Sequence, residues 1–450
     1  MQFEISDELI KKIELLIHEK NEKELLLHLE DLHHADIAEI LSEIDLDDAT
    51  YLIKLLDSEQ TSEALMELED ETRVAILDNL SPKEIAEELE EMDTDDAADI
   101  ISELSEERQQ SVIAEIEDEQ HADNIVELLR YDEDSAGGLM AKELVKVNEN
   151  WSVTGCMSEM RAQAENVTRV HSIYVVDDKN KLKGRLSLKD LLTAPSKANI
   201  SDVYIPKVDF VTVHTPGEEV ARLMQKYDLE AVPVIDEMGR LVGRITIDDI
   251  VDFIKEEAEK DYQMAAGISE DVEADDSIWR LTRARLPWLI LALCGGFISV
   301  TVLGTFSNAM TNHPALFFFV PLIAAMAGNV GVQSSAIVLQ GLANDSLKGS
   351  LLGRGIKEVL LSMLNGLILA FILGLGGTFL LGFDALFGVT VGISLISVII
   401  IASLIGTFIP IILDKIGIDP AMATGPFITT SNDICGILIY FTIAQLILGF

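Results

Sequence analysis

The chain has 450 residues with 77 acidic and 33 basic side chains, a formal net charge of −44. A field of that sign repels phosphate, which argues against a nucleic-acid partner and favours metal cations or a basic protein as counter-charge. Residues 278–450 hold only six of the acids and seven of the bases, so residues 1–277 carry about −45 and the rest about +1, as expected of a chain divided between water and bilayer.

Three cysteines far apart in sequence (Cys156, Cys294, Cys435) give neither a disulfide framework nor a zinc spacing. Met1–Ile10 is acidic and amphipathic and lacks a basic-then-apolar signal peptide, so the first three-fifths of the chain are expected in the cytoplasm. Residues 1–135 show apolar side chains at steps of three and four with acids between them, which predicts an acidic helical domain. A repeat at a spacing of 48 runs through it. Ile37-Ala38-Glu39-Ile40-Leu41 returns as Ile85-Ala86-Glu87-Glu88-Leu89, and Asp45-Leu46-Asp47-Asp48-Ala49 as Asp93-Thr94-Asp95-Asp96-Ala97. Repeated helical hairpins of this kind stack into a small α-solenoid.

Residues 136–254 change character. Strand-turn-strand-helix patterns at His171–Asp177 with Gly184–Leu191 return 59 residues later at Ala231–Asp236 with Gly243–Ile250. This α/β tandem resembles a pair of CBS domains, assigned to 136–200 and 201–254, which such pairs pack as a pseudo-symmetric dimer. A connecting helix is expected within 249–277. Asp249, Asp252, Glu256 and Glu259 fall on one stripe of it. At about 6 Å and an effective dielectric near 20, each close pair repels by roughly 3 kcal/mol before salt screening. The stripe is either a solvated face or a coupling element bridged by cations.

Residues 278–450 are predicted to form a transmembrane domain of five helices. The apolar runs are Pro287–Phe306, Leu316–Leu342, Val359–Phe383, Phe387–Leu413 and Ala421–Phe450, each near or above the ~20 residues that cross the hydrocarbon. Arg280, Arg283 and Arg285 precede the first, and Lys348, Arg354, Lys357 and Lys415 fall in loops on the same side. The positive-inside bias predicts a multi-pass protein of the cell (inner) membrane, in contact with lipid, N-terminus cytoplasmic and C-terminus outside.

Asp433 lies inside the fifth run, where a carboxylate costs at least ~2.5 kcal/mol unless it faces water or a cation. It serves either as a protonated helix–helix hydrogen bond or as an ion site. Thr430, Ser431 and Asn432 beside it offer the oxygen and amide ligands a hard cation prefers. One aspartate supplies half the charge of a divalent ion, which favours a homodimer with one axial pore. Mg²⁺, octahedral and reluctant to shed water, suits such a sparse site, although the residues alone leave Ca²⁺, Mn²⁺ and Co²⁺ open. Gly328-Asn329-Val330-Gly331-Val332-Gln333-Ser334 in the second run implies close helix packing or a pore-lining break. Asp419-Pro420-Ala421 reads as a helix start, with Asp419 placed as a gate ligand at the cytoplasmic mouth.

These motifs, with Gly417–Ala421, Ser431-Asn432-Asp433 and Ala136-Gly137-Gly138-Leu139-Met140, resemble the MgtE family of magnesium channels and transporters over essentially the whole chain. The resemblance implies a homodimer conducting hydrated Mg²⁺ at Asp433 and the Thr429 carbonyl, with Asn329, Gln333 and Asn432 lining the pore. It also implies closure by Mg²⁺ bound at Asp95 and Asp99, at Glu218 and Asp228, at Asp249, Asp252, Glu257 and Asp261, and at Asp419. Pro216 and Lys260 stand where acids are expected, and Val332 where a second pore amide is. Family members can bind ATP in the CBS pair, where Asp190 fits the ribose position. No P-loop or catalytic cluster points to an enzyme. The rival readings are an ion-coupled transporter of divalent metals such as Co²⁺ or Mn²⁺, a CBS-regulated anion channel and a membrane receptor that does not transport.

Overall fold

The computed structural model of the chain describes residues 5–449 apart from 31, 165, 166, 168, 270, 271, 273–275, 344, 345, 348, 349, 383 and 424. Lys348 of the expected inner loop lies outside these. The chain forms two compact units that divide at Lys255/Glu256.

In the first unit, short helices follow one another from α1 (Asp7–His18) to α10 (Glu119–Leu128). The sequence repeat is a structural one: α3 (His34–Glu43) and α4 (Leu46–Ile53) correspond to α7 (Pro82–Leu89) and α8 (Thr94–Ser102). Asp45 and Asp93 are the extended N-cap residues of α4 and α8. The apolar faces of α3 and α7 (Ile37, Ile40, Leu41, Ile85, Leu89) fill one core. Ser81 and Glu84 close a capping box at the start of α7, with Pro82 in its first turn, so side chains satisfy the free amides of that end.

Two three-stranded sheets follow. The first is β1 (Val145–Asn148) parallel to β2 (Ile173–Val176), with β3 (Leu182–Leu186) antiparallel. The second is β4 (Val211–Thr212), β5 (Ala231–Ile235) and β6 (Leu241–Thr246) in the same order and sense. Their hairpin tips exchange backbone bonds, Leu182 N–H to Gly239 O (3.1 Å) and Leu241 N–H to Asn180 O (2.9 Å), the pairing expected of pseudo-symmetric modules. Ala136 and Gly137 donate to Thr215 O and Val213 O at 2.7 and 2.9 Å. The second sheet therefore shares the core of the helical repeats, while the first keeps its own.

The connecting helix spans Ile247–Ala266 and so begins two residues before the 249–277 segment assigned to it. Gly267, at φ +84°, ends it: its N–H returns to Met264 O and that of Ile268 to Gln263 O, a left-handed C-terminal turn that favours glycine.

Among the described residues the second unit has five helices long and apolar enough to cross a membrane, at 278–305, 314–343, 351–377, 385–415 and 426–448. The first and third begin earlier than the apolar runs predicted, because Arg280, Arg283, Arg285, Arg354 and Lys357 continue the helix, their long stems allowing the charge to reach the interface. The fifth begins later, at Pro426 rather than Ala421. Pro420–Ala423 forms a separate 3-10 turn, and the non-helical backbone of Gly425 breaks it from the span.

Candidate ion sites

Two of the spanning helices build the membrane site: the long part of the second span (Val320–Ala343) and the fifth span (Pro426–Leu448). They pack together and leave a concavity of about 400 Å³ lined by Ala324, Ala325, Gly328, Asn329, Val332, Gln333, Thr429 and Asp433. The spacing explains the convergence, since residues four apart share one face of a helix and both 329/333 and 429/433 obey it. Val332, where an amide was expected, lines the same wall. The single proton of the Thr429 hydroxyl is shared within its own first turn, between Gly425 O (3.2 Å) and Pro426 O (3.1 Å).

Two expected ligands lie elsewhere. Asn432 does not line the concavity: it is 1% exposed and donates to Ala327 O at 3.3 Å. One step of a helix turns about 100°, so Asn432 and Asp433 cannot share a face. Asp419 is exposed and its Oδ1 accepts from Ala421 N–H at 2.7 Å, capping the 3-10 turn. The sequence reading gave no role to Glu358, whose Oε1 accepts from Ser334 Oγ at 2.7 Å.

The first unit holds a second oxygen-rich centre, where Asp93, Asp95 and Glu143 each bring one carboxylate oxygen within 4.8 Å of the others. Thr94 sets it up: its N–H and Oγ1 donate to Glu143 Oε2 (3.1 and 2.8 Å), and its Oγ1 accepts from Lys142 N–H. Asp249, at the start of the connecting helix, accepts from Thr246 N–H (3.0 Å) and Oγ1 (2.6 Å). Against these acids stands Arg244, 5% exposed, with Nη2 at 3.4 Å from Asp93 Oδ2 and Nη1 donating to Arg169 O.

The charge imbalance registers in the acidities. Burial, then Glu143, pushes Asp93 up to about 6. Burial, then Asp249, pushes Asp96 up to about 8. Asp95, 7% exposed, is raised well above the carboxylate range by burial and then by Asp96. Asp249 is raised by burial despite its Thr246 bonds. Carboxylates under this strain take up either protons or a cation. An all-oxygen donor set with surplus negative charge fits a hard divalent ion. In the first repeat the equivalent Asp45 and Asp47 are exposed, whereas in the second Asp93 is half-buried and Asp95 buried.

Of the expected sensor residues, the structure brings Asp95 and Asp249 to this centre. Asp99 lies on the exposed face of the same helix as Asp95. Glu218 is exposed at 3.7 Å from Arg222. Asp228 is exposed at φ +49° and caps the helix Gly217–Tyr227. Asp252 is exposed, and its carboxyl is raised by partial burial and then by Glu67. Glu257 pairs with Lys260 at 3.1 Å, and Asp261 is exposed. Asp190 accepts from Ser187 Oγ at 2.6 Å in a capping box that lowers its pKa. In the sequence Asp93 and Asp96 appear only as part of the 48-residue repeat, and nothing local marks Glu143.

Family models agree with this division. A divalent cation transporter model matches residues 320–443, the MgtE intracellular N domain 32–134, and CBS domains 136–197 and 200–256. The magnesium transporter MgtE of Thermus thermophilus is 37% identical over 324 residues, covering 71% of this chain and 72% of that protein. The chain belongs to the MgtE family. Its Bacillus subtilis member is 36% identical over 70% of both chains. Among solved structures, the cytosolic domain of the Mg²⁺ channel MgtE in complex with ATP is 35% identical, with a TM-score of 0.51 over 54% of this chain and 99% of that one. The soluble part of a magnesium transporter is 28% identical, with a TM-score of 0.51 over 56% and 99%. The chain is thus an MgtE-family Mg²⁺ transporter with a helical N domain, tandem CBS domains and five candidate membrane spans.

Proposed function

We propose that this chain conducts Mg²⁺ as a homodimeric channel of the cell membrane, with Asp433 as its charged station and closure driven by cytoplasmic Mg²⁺. The observation that carries the reading is the membrane concavity. It collects Asp433, Thr429, Asn329 and Gln333 while the wall between them stays small or apolar. Four oxygen- or amide-bearing groups on one wall suit an ion that keeps its water and is touched through it. A two-fold axis along this wall pairs two Asp433 carboxylates against one doubly charged ion. The bias of Arg280, Arg283, Arg285, Arg354, Lys357 and Lys415 to one side supports an N-terminus in the cytoplasm and a C-terminus outside.

Regulation follows from the centre of Asp93, Asp95, Glu143 and Asp249, which joins the helical repeats, the CBS pair and the start of the connecting helix. A cation held there favours the compact arrangement of these parts, and its absence leaves their carboxylates repelling. The connecting helix continues across Lys255/Glu256 into the second unit, giving a covalent route to the pore. A near-complete switch needs ~5 kcal/mol of differential binding, within reach of several weak sites acting together. ATP in the CBS pair is part of the reading, supported by the ATP complex of the 35% identical cytosolic domain.

The test is ion flux in liposomes for wild type and Asp433→Ala across Mg²⁺, Mn²⁺, Co²⁺ and Ca²⁺. The proposal expects Mg²⁺ flux that follows the Mg²⁺ gradient alone and is lost in the variant. Undiminished uptake in Asp433→Ala refutes it, and dependence on a proton or sodium gradient favours a coupled transporter.

A further inference from the structure

The residue beside the pore aspartate is buried, polar and only half satisfied. Asn432 is 1% exposed, its Nδ2 donates to Ala327 O at 3.3 Å, and its Oδ1 has no partner among the described residues. It sits over Gly331, where an added Cβ would fall on the Asn432 amide. Gly331 is fully packed on its other side as well, its carbonyl lying against Gly406 of the fourth span. The seat therefore exists only because position 331 has no side chain, and it fixes the rotation of the fifth span against the turn Ala327–Gly331 of the second. With Asn432 held, the helical step of about 100° aims Asp433, and with it Thr429 one turn earlier, into the concavity. A polar atom left unpartnered in a bilayer-spanning helix is costly. Packing that an apolar residue could provide does not explain it, whereas a directional anchor does.

We propose that Asn432 is a positioning residue: it sets the angle at which Asp433 and Thr429 face the ion path, and does not itself touch the ion. This deepens the pore reading and rests on it. The experiment separates the two by measuring orientation without measuring conduction.

In full-length protein with its three natural cysteines replaced, Thr429→Cys is labelled with a charged thiol reagent in liposomes, alone and together with Asn432→Ala. The expected result is a labelling rate about tenfold lower with Asn432→Ala, ~1.4 kcal/mol of lost orientation. Gly331→Ala, which keeps Asn432 but fills its seat, is expected to do the same, and it serves should Asn432→Ala fail to assemble. In flux assays both single variants are expected to shift the Mg²⁺ concentration for half-maximal flux and the preference for Mg²⁺ over Ca²⁺ more than the maximal rate. Unchanged labelling in both variants overturns the proposal whatever the flux. Lower labelling in a protein whose Asp433→Ala variant still conducts leaves the anchor standing and removes the pore reading.

Discussion

The buried carboxylate centre makes a quantitative prediction for the cytoplasmic unit, the part whose counterpart is solved alone in relatives. Asp93 moves from an ordinary 3.8 to about 6 on burial, about two pH units or roughly 3 kcal/mol when fully ionised. The sign follows from proton binding. A carboxyl whose affinity for protons is higher in the folded state stabilises that state at low pH, and this is lost as pH rises through the folded value. Without divalent cation, the melting temperature of residues 1–255 should therefore fall between about pH 4 and 6 as Asp93 ionises, with Asp96 extending the fall to about 8. For a unit of this size 3 kcal/mol is about 6–12 °C. Mg²⁺ at a hundred times its dissociation constant adds ~2.7 kcal/mol, most at pH 8 and least at pH 5, where protons compete. Because a highly acidic chain loses stability at high pH for general reasons too, the decisive pair is Asp95→Asn against Asp47→Asn. The two remove the same charge from equivalent places in the repeat, one buried and one exposed. Thermal unfolding in EDTA at pH 8 should show Asp95→Asn several degrees above wild type with its Mg²⁺ increment largely gone, and Asp47→Asn nearly unchanged. Equal effects of the two substitutions would show that the centre is merely part of a diffuse acidic surface.

Arg244→Met removes the guanidinium facing Asp93; in EDTA at pH 8 the unit should melt lower, by ~1–3 kcal/mol, and Mg²⁺ should recover more of the loss than it adds to wild type. Glu88 occupies the position held by fully buried Ile40 in the first repeat, and burial pushes its carboxyl up to about 7. Glu88→Gln should raise the melting temperature above pH 7 and leave it unchanged near pH 5, a gain of ~1–2 kcal/mol after allowance for partial solvent screening.

Much of this architecture was legible because it is written in local patterns. The 48-residue repeat, the tandem strand-turn-strand-helix units and five apolar runs each imply their element without tertiary knowledge. The pore wall was legible for a related reason, since Asn329/Gln333 and Thr429/Asp433 carry their shared faces in their spacing. Asn432 was misplaced because polarity in a membrane segment was equated with facing the ion; its actual environment depends on Gly331 of another helix. The carboxylate centre was half visible. Asp95 and Asp249 came from resemblance, but Glu143 joins them only through the fold, and in the identical Asp-x-Asp-Asp of the first repeat Asp45 and Asp47 stay in solvent. Span ends were misjudged where arginines and lysines prolong a helix past its apolar run, and where Gly425 interrupts one.

Glu358 offers the sharpest check on the idea that a single carboxylate per chain serves the ion. It is the eighth residue of the third candidate span, beside Lys357 and just before the apolar run, is absent from the wall that holds Asp433 and accepts a hydrogen bond from buried Ser334 instead. Next to Ser334 in sequence is Gln333, which does line the wall, so the bond braces the back of the pore-lining helix. If that brace is the whole role of Glu358, an acceptor is needed there and a charge is not. Glu358→Gln keeps the acceptor while removing a carboxylate whose charge is costly wherever it leaves water. The variant should then be at least as stable as wild type in detergent melting curves and should conduct Mg²⁺ at a similar rate, whereas Glu358→Ala, which drops the acceptor, should lose stability and part of its flux. Loss of flux in Glu358→Gln as complete as in Asp433→Ala would mean that a second charge stands in the ion path, and the arithmetic of one aspartate from each of two subunits would no longer balance the ion.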